Sequence, residues 1–164
     1  MPAVVSVVGN SGSGKTTLIE KLIRELKSMG YRVATIKHTP HGMTFDQPGK
    51  DSWRYMQAGS DATIISSRAK MVLIKSIGPN TTLGEIARVF GDDYDIILAE
   101  GFKRDNTPKI AVHRKETGTL PENIEGIIAV ATDEPLATKT RQFSLNDARG
   151  LAELLREDFI ETAG

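Results

Sequence analysis

The feature that most constrains this sequence is a glycine-rich turn directly after a short apolar run. Val4 to Val8 leads into GNSGSGKT at residues 9–16, which fits the pattern G-x-x-x-x-G-K-[ST]. The segment that follows, Thr16 to Met29, has apolar residues at helical spacing. Because a strand, this turn and a helix in succession can wrap backbone N–H groups around phosphates, the stretch predicts a nucleotide-binding loop.

Each residue type in the loop has a predicted role. The glycines let the backbone curl inward, and the start of the helix adds its positive dipole end. Lys15 is expected to reach the β- and γ-phosphates, and the Thr16 hydroxyl is expected to ligate Mg²⁺. The residues predicted to bind the nucleotide are Gly9, Asn10, Ser11, Gly12, Ser13, Gly14, Lys15, Thr16, Thr17 and Asp133.

A phosphate loop needs a carboxylate opposite it, at the carboxyl end of a neighbouring buried strand. The apolar run Asp95 to Ala99 carries an acid at its start and is followed by Glu100. At about 3.3 Å per residue the two acids lie roughly 16 Å apart, so only one faces the phosphates. Glu100 is predicted to be that acid, as a metal ligand and, with Lys15, a catalytic candidate, although Asp is usual there. Asp95 is predicted to be a solvated strand start.

The loop from Thr39 to Asp51 concentrates histidines and acids, and the same edge argument places it over the phosphates. Asp46 is predicted to be a second carboxylate for Mg²⁺. His38 and His41 have two interpretations: polar contacts to substrate or phosphate, or a zinc or transition-metal site with Asp46.

Two basic residues near the end of this loop, Lys50 and Arg54, remain open in the same way. Either they contact an anion, or they form the basic flank of a surface helix capped by Asp51 or Ser52.

An acid at the end of a late strand can read a guanine base through its N1 and N2 donors. Asp133 is so placed after the apolar run Ile127 to Ala131. In regulatory GTPases this acid closes an Asn-Lys-x-Asp motif, but the Asn and Lys positions here are Val130 and Ala131. Guanine specificity is therefore suggested, and an adenine nucleotide stays possible.

The alternation of apolar runs with helix-period segments predicts an α/β fold, a three-layer P-loop NTPase with a mostly parallel sheet flanked by helices. We expect residues 1–164 to form one nucleotide-binding domain. The predicted strands are Val4 to Val8, Arg32 to Lys37, Ala62 to Ser66, Met71 to Ser76, Asp95 to Ala99, Ile110 to His113 and Ile127 to Ala131. The predicted helices are Thr16 to Met29, Ser52 to Ala58, Leu83 to Phe90 and Asn146 to Arg156.

Composition narrows the choice of partners. Lys and Arg number 21, as do Asp and Glu, so no overall positive field would draw the chain onto nucleic acid or an anionic membrane. The absence of cysteine excludes disulfides and thiolate metal sites and suits a reducing compartment. The first apolar run ends at Gly9, too short for a membrane span or a signal sequence. We expect a cytoplasmic protein.

Several segments together resemble the MobB family of molybdopterin-guanine dinucleotide biosynthesis adapter proteins. Besides the phosphate loop, these segments are IKH (residues 36–38), FDQPGKDS (45–52), AGS (58–60), EGFK (100–103) and PKI (108–110). The resemblance implies a GTP- and Mg²⁺-binding protein with weak GTPase activity that assists the molybdenum cofactor guanylyltransferase. Molybdopterin or a molybdoenzyme is a possible further partner.

The resemblance carries two further implications. It implies the Walker-type roles of Gly14, Lys15, Thr16 and Glu100, and it places Asp46 near the metal. It also implies a homodimer formed through strand elements outside the nucleotide core. In this sequence Pro108 to Arg114 and the loop after it are the candidate segment for that interface.

Two alternative functions, from other classes of P-loop protein, are also compatible with the motifs. A P-loop kinase for a small metabolite would use ATP and grip its acceptor with His38, His41 and Asp46. A GTPase metallochaperone would need denser histidine clusters than the sequence provides. Without an assured arginine finger, for which Arg54, Arg68 and Arg104 are candidates, we expect slow hydrolysis.

Overall fold

The computed structural model describes residues 1–39, 42–120 and 123–163. The chain divides into two compact units: the first combines Met1–His38 with Thr82–Gly164, and the second is Thr39–Thr81. The phosphate loop belongs to the first unit. That all 164 residues form one functional nucleotide-binding domain stays a prediction.

Eight strands and four α-helices make up the described chain. The strands are β1 (Ala3–Gly9), β2 (Val33–Lys37), β3 (Ala62–Ser66), β4 (Met71–Lys75), β5 (Ile96–Glu100), β6 (Lys109–His113), β7 (Ile127–Thr132) and β8 (Arg141–Ser144). The helices are α1 (Lys15–Ser28), α2 (Asp51–Gln57), α3 (Leu83–Ala87) and α4 (Ala148–Leu155). Within a residue or two at each end, every predicted strand exists, and β8 is a strand that was not predicted from the sequence.

The first unit is built on a six-stranded sheet with the order β2-β5-β1-β6-β7-β8, and every neighbouring pair in it is parallel. Because parallel strands end at one edge, the sheet aligns the carboxyl ends of β1, β5, β6 and β7. The predicted α/β fold is confirmed.

Alternate residues of β1 pack on opposite faces of the sheet, as the pleat requires. Val5 and Val7 belong to the larger core cluster, which α1 and α4 complete with Leu22 and Leu151. Val4 packs on the opposite side, in the cluster that contains α3. The sheet is therefore covered by helices on both faces, which confirms the three layers.

Two of the predicted helices end differently from the expectation. The helix predicted over Leu83 to Phe90 is α for Leu83–Ala87 and then tightens to a 3₁₀ turn over Arg88–Phe90. The C-terminal helix begins two residues later than expected, after the Asp147 side chain accepts the Gly150 N–H. It continues past Leu155 as a π-helical turn over Arg156–Ile160.

The second unit contains α2 and a separate hairpin. Strands β3 and β4 pair with each other in antiparallel register, with Ile64 opposite Leu73. Only four residues connect β3 to β4, too few for the crossover helix that a parallel pair requires. The two strands therefore pair as an antiparallel hairpin, separate from the parallel sheet.

The predicted dimer interface was Pro108 to Arg114 and the loop after it; its strand part is wrong, and its loop part stays a prediction. Strand β6 pairs with β1 on one side and with β7 on the other, and its five residues are all buried. A strand with both edges occupied and no exposed face cannot meet a second copy.

In the described ranges no helix is long and apolar enough to cross a bilayer.

Candidate nucleotide-phosphate site

The loop between β1 and α1 depends on two of its glycines. A Cβ added at Gly9 would lie 2.5 Å from the carbonyl oxygen of Val112, so only glycine lets the loop pass this close to β6. Gly14 precedes α1 with φ +97°, a conformation that side chains disfavour. The sequence therefore folds the turn against β6 and starts the helix at Lys15.

The Lys15 ammonium lies inside the loop. Its Nζ donates hydrogen bonds to the carbonyl oxygens of Asn10 at 2.8 Å and Gly9 at 3.3 Å. Burial lowers its pKa; Glu100 opposes that shift, and Lys103 and Lys37 lower the pKa further. Because this partly buried ammonium lies beside the amino end of a helix, an anion bound there would be favoured.

Thr16 and Glu100 meet at the carboxyl edge of the sheet. The Thr16 hydroxyl donates to Oε2 of Glu100 at 2.9 Å. Glu100 ends β5 and lies in register with Val7 of β1 and Lys37 of β2. The structure thus brings together the hydroxyl and the carboxylate that the sequence assigned to a metal, and their role as ligands stays a prediction.

Asp95 is not simply a solvated strand start. Its carboxylate accepts hydrogen bonds from the Arg32 backbone N–H at 2.6 Å and from the Arg32 guanidinium at 2.9 and 3.3 Å. The side-chain hydrogen bond from Arg32 lowers the pKa of Asp95, and the backbone hydrogen bond adds to the shift. The residue fixes the amino end of β5 and has no place at the phosphate edge.

The segment after β6 packs against the phosphate loop. Asn10 donates from Nδ2 to the carbonyl oxygens of Thr117 at 2.9 Å and Thr119 at 2.8 Å. Arg114 lies beside the loop as well: a Cβ added at Gly14 would be 3.4 Å from its Nη2. Sequence reasoning missed Arg114, although a basic residue directly after a strand at the shared carboxyl edge is the signal that identifies it.

Asp133 follows β7 at the same edge, but part of its carboxylate is occupied. Oδ1 accepts the backbone N–H of Lys115 at 2.8 Å. The neighbouring Glu134 pairs through Oε1 with Nε2 of His113 at 2.9 Å, and His113 is only 5% exposed. Asp133 thus anchors the segment after β6, and its reading of guanine stays a prediction.

Asp46 belongs to the second unit and is bonded within it. Its Oδ1 accepts from Ser52 Oγ at 2.8 Å and from the Gln47 N–H at 2.9 Å. Its Oδ2 is buried and has no hydrogen-bond partner among the described residues. The metal role of Asp46 stays a prediction.

The other residues predicted to contact a substrate, an anion or a metal are two histidines and two basic residues. His38, in the first unit, packs its ring 4.8 Å from that of Phe102, and His41 lies outside the described residues. Lys50 directly precedes α2, and Arg54 on that helix lies 3.9 Å from Asp51. Over residues 1–39, 42–120 and 123–163, no three His, Cys, Asp or Glu side chains gather in a way that could hold a metal ion.

Sequence comparison finds one family model. Residues 4–133 match MobB, described as molybdopterin guanine dinucleotide synthesis protein B. The chain is 41% identical over 160 residues to the molybdopterin-guanine dinucleotide biosynthesis adapter protein of Haemophilus influenzae, covering 96% of this chain and 87% of that protein. It is 39% identical over 153 residues to the Escherichia coli protein of the same name, covering 90% of this chain and 87% of that protein.

Solved structures give the same result. A crystal structure of molybdopterin-guanine biosynthesis protein B has a TM-score of 0.75 and 28% identity, covering 95% of this chain and 99% of that one. A MobB homologue from Bacillus stearothermophilus has a TM-score of 0.71 and 27% identity, covering 97% and 98% respectively.

Proposed function

Because the chain belongs to the MobB family, we propose that it acts as an adapter in the biosynthesis of molybdopterin guanine dinucleotide. In this proposal it binds GTP with Mg²⁺ and presents the nucleotide, or a conformation set by it, to the molybdenum cofactor guanylyltransferase. The names of the relatives support the pathway, and the loop geometry supports the nucleotide.

The observation that carries the nucleotide proposal is the position of Lys15. Its ammonium is held by the carbonyl oxygens of Asn10 and Gly9, inside a turn whose N–H groups start a helix. Burial lowers its pKa; the Glu100 carboxylate opposes that shift, and Lys103 and Lys37 add to it. A triphosphate tail would supply negative charge that stabilises this partly buried ammonium, so the loop favours phosphate over water.

Magnesium fits the donors that lie beside this loop. The Thr16 hydroxyl and the Glu100 carboxylate supply hard oxygen ligands 2.9 Å apart, the ligand type that Mg²⁺ prefers. Two protein donors leave several positions for phosphate oxygens and waters, as is usual for Mg²⁺ bound with a nucleotide. The ion would neutralise phosphate charge, while Thr16 and Glu100 fix where it is held.

Hydrolysis is secondary in this proposal. Stabilising the transferred phosphoryl group without an arginine finger costs on the order of 10³–10⁵ in rate. Of the three arginines proposed from the sequence, Arg54 and Arg68 belong to the second unit, and Arg104 lies close after Glu100 in the first. We therefore expect a slow Mg²⁺-dependent GTPase.

A homodimer is also part of the proposal, now placed on the second unit. A two-stranded hairpin is marginally stable on its own, and β3 and β4 expose apolar residues on both faces. These residues are Ile64, Ile65, Met71, Val72 and Leu73. A second copy that covers them would supply the core that the hairpin lacks.

A cytoplasmic location completes the proposal and is supported by the absence of cysteine.

The decisive test is equilibrium binding of GTP and ATP, with and without Mg²⁺, to the wild type and to Lys15→Ala. We expect Mg²⁺-dependent GTP binding by the wild type and none by the variant. Cooperative melting of the variant should be retained because Lys15 serves the ligand.

A second experiment compares co-purification with the guanylyltransferase in the presence of GTP and in the presence of ATP. A preference for ATP with substrate-dependent ADP release would favour the kinase alternative, and stoichiometric zinc or nickel in the purified protein would favour the metallochaperone.

A further inference from the structure

We propose that Arg114 is a further phosphate-binding residue, whose guanidinium contacts the phosphates of the nucleotide held by the loop. This inference rests on the proposed nucleotide function and adds a binding residue that lies outside the loop motif. It would give the phosphates a cation on the β6 side of the loop, opposite Glu100 on the β5 side.

The first argument is position. Arg114 comes directly after β6, the strand that pairs with β1. Its Nη2 lies 3.4 Å from the point that a Cβ on Gly14 would occupy, and Gly14 is the residue that precedes the first turn of α1. The guanidinium therefore lies beside the amino end of the helix, where the loop is expected to hold phosphate.

The second argument is electrostatic. A cation beside the positive end of a helix is unfavourable unless an anion lies between them. Within the described ranges, the Arg114 guanidinium has neither a carboxylate within 4 Å nor a hydrogen-bond acceptor. Arg32, Arg149 and Arg156 of this unit are paired with acids. The other arginines of the unit that lack an acidic partner among the described residues are all exposed, whereas Arg114 is half-buried; they are Arg24, Arg88, Arg104 and Arg141. A partly buried, unpaired guanidinium at this place is complementary to a phosphate, which it can bind with two parallel N–H donors.

The third argument is that the backbone around Arg114 is held in place. Its carbonyl oxygen accepts from both the N–H and the hydroxyl of Thr117 at 2.8 Å. The next residue, Lys115, donates its N–H to Asp133, and Asn10 of the phosphate loop holds the carbonyl of Thr117. Because the loop itself fixes this segment, little ordering is needed when the ligand binds.

The test compares Arg114→Ala, Arg114→Lys and the control Arg24→Ala. Arg24 is exposed on α1, roughly 14 Å along the helix from Lys15, so its loss removes the same charge beyond the screening length. Dissociation constants for Mg·GTP, Mg·GDP and guanosine are measured by calorimetry, together with melting of the nucleotide-free protein.

We expect Arg114→Ala to weaken binding of GTP and GDP by about tenfold to a hundredfold, the range of a hydrogen bond to a charged group. Arg114→Lys should recover part of the loss, and Arg24→Ala should bind as the wild type does. Guanosine binding should not change. The melting temperature of nucleotide-free Arg114→Ala should not fall, because without an anion the Arg114 charge is unfavourable beside the amino end of α1.

Unchanged GTP binding by Arg114→Ala overturns this inference while the proposed function stands. A lower melting temperature of nucleotide-free Arg114→Ala, with guanosine binding weakened in parallel, shows a structural role and also overturns it. Absence of GTP binding by the wild type itself defeats the proposed function, and the inference with it.

Discussion

The hydroxyl of Thr16, on the first turn of α1, donates a hydrogen bond to the carboxylate of Glu100, at the end of β5, across 2.9 Å. The two residues are 84 positions apart in the chain, and the parallel register of β1 with β5 brings them together. The contact places two hard oxygen donors beside Lys15. Whether they act as a metal site depends on the charge of Glu100, and that charge can be removed without removing the hydrogen-bond acceptor.

Replacing Glu100 by glutamine should therefore separate binding from turnover. The amide oxygen of glutamine still accepts from Thr16, so we expect GTP affinity to change by less than about tenfold. A neutral amide ligates Mg²⁺ poorly, so Mg²⁺-dependent hydrolysis should fall. Equilibrium binding measures the GTP affinity, and single-turnover hydrolysis over a range of Mg²⁺ concentrations measures the turnover.

The matched control for this variant is Glu20→Gln. Glu20 is exposed on α1 and undergoes the same loss of charge. It should leave affinity and hydrolysis unchanged. Hydrolysis by Glu100→Gln at the wild-type rate would show that Glu100 has no part in holding the metal.

The fold of the first unit was predictable because its signals are local and agree with one another. Leu18, Ile19, Leu22 and Leu26 recur at the spacing of one helix face, and all four are buried against the sheet. Strand β8 was missed because the sequence RQFS has only one half-buried apolar residue, and its position at the sheet edge is set by pairing with β7.

The site was predictable where the edge of a parallel sheet decides the geometry, and less so elsewhere. Placing Glu100 near Thr16 needed only the direction of β1 and β5. The neighbours of Asp95 and Asp133 could not be foreseen, because each acid bonds a backbone N–H that is remote in sequence, that of Arg32 or Lys115. Arg114 was overlooked because no motif marks it; its place directly after β6 at the shared carboxyl edge was the available signal, and the structure adds that its Nη2 lies beside Gly14.

Asp133 offers a test that distinguishes base recognition from anchoring. If the acid reads guanine, Asp133→Asn should lose affinity for GTP and gain affinity for xanthosine triphosphate, because an amide N–H can donate to the additional carbonyl of xanthine. Competition binding with the two nucleotides measures the change. Asparagine can still accept from Lys115, so an anchoring role alone predicts that neither affinity moves.

The exposed hairpin should form the dimer interface. Ile64 and Leu73 are cross-strand neighbours and are 59% and 37% exposed. In the double variant Ile64→Lys, Leu73→Glu, the opposite charges can pair across the hairpin and keep its register while the apolar face is lost. We expect monomers by sedimentation equilibrium where the wild type is dimeric, with GTP affinity nearly unchanged.

A control for the hairpin variant removes apolar surface elsewhere. Val89 lies in the first unit and is 52% exposed, so Val89→Lys should remain a dimer. A monomeric wild type at tens of micromolar would refute the dimer, and a double variant that stays dimeric would refute the hairpin as its interface.

The pair of Arg32 and Asp95 should make the folding stability depend on pH in one direction. Hydrogen bonds from Arg32 hold the pKa of Asp95 below its usual range. A carboxyl whose pKa is lower in the folded state contributes its full stabilisation above the unfolded pKa, about 3.9. That contribution is lost as the pH falls through the folded pKa, because the protonated acid no longer attracts the guanidinium.

Asp95→Asn isolates this effect, since asparagine keeps an acceptor for Arg32 but carries no charge. We expect the variant to unfold at a lower urea concentration than the wild type at pH 6–7, and the difference to shrink steadily below about pH 4. Urea melts at a series of pH values measure it. A difference that stays constant down to pH 2 would mean that the charge of Asp95 contributes nothing and that the asparagine acts only through packing.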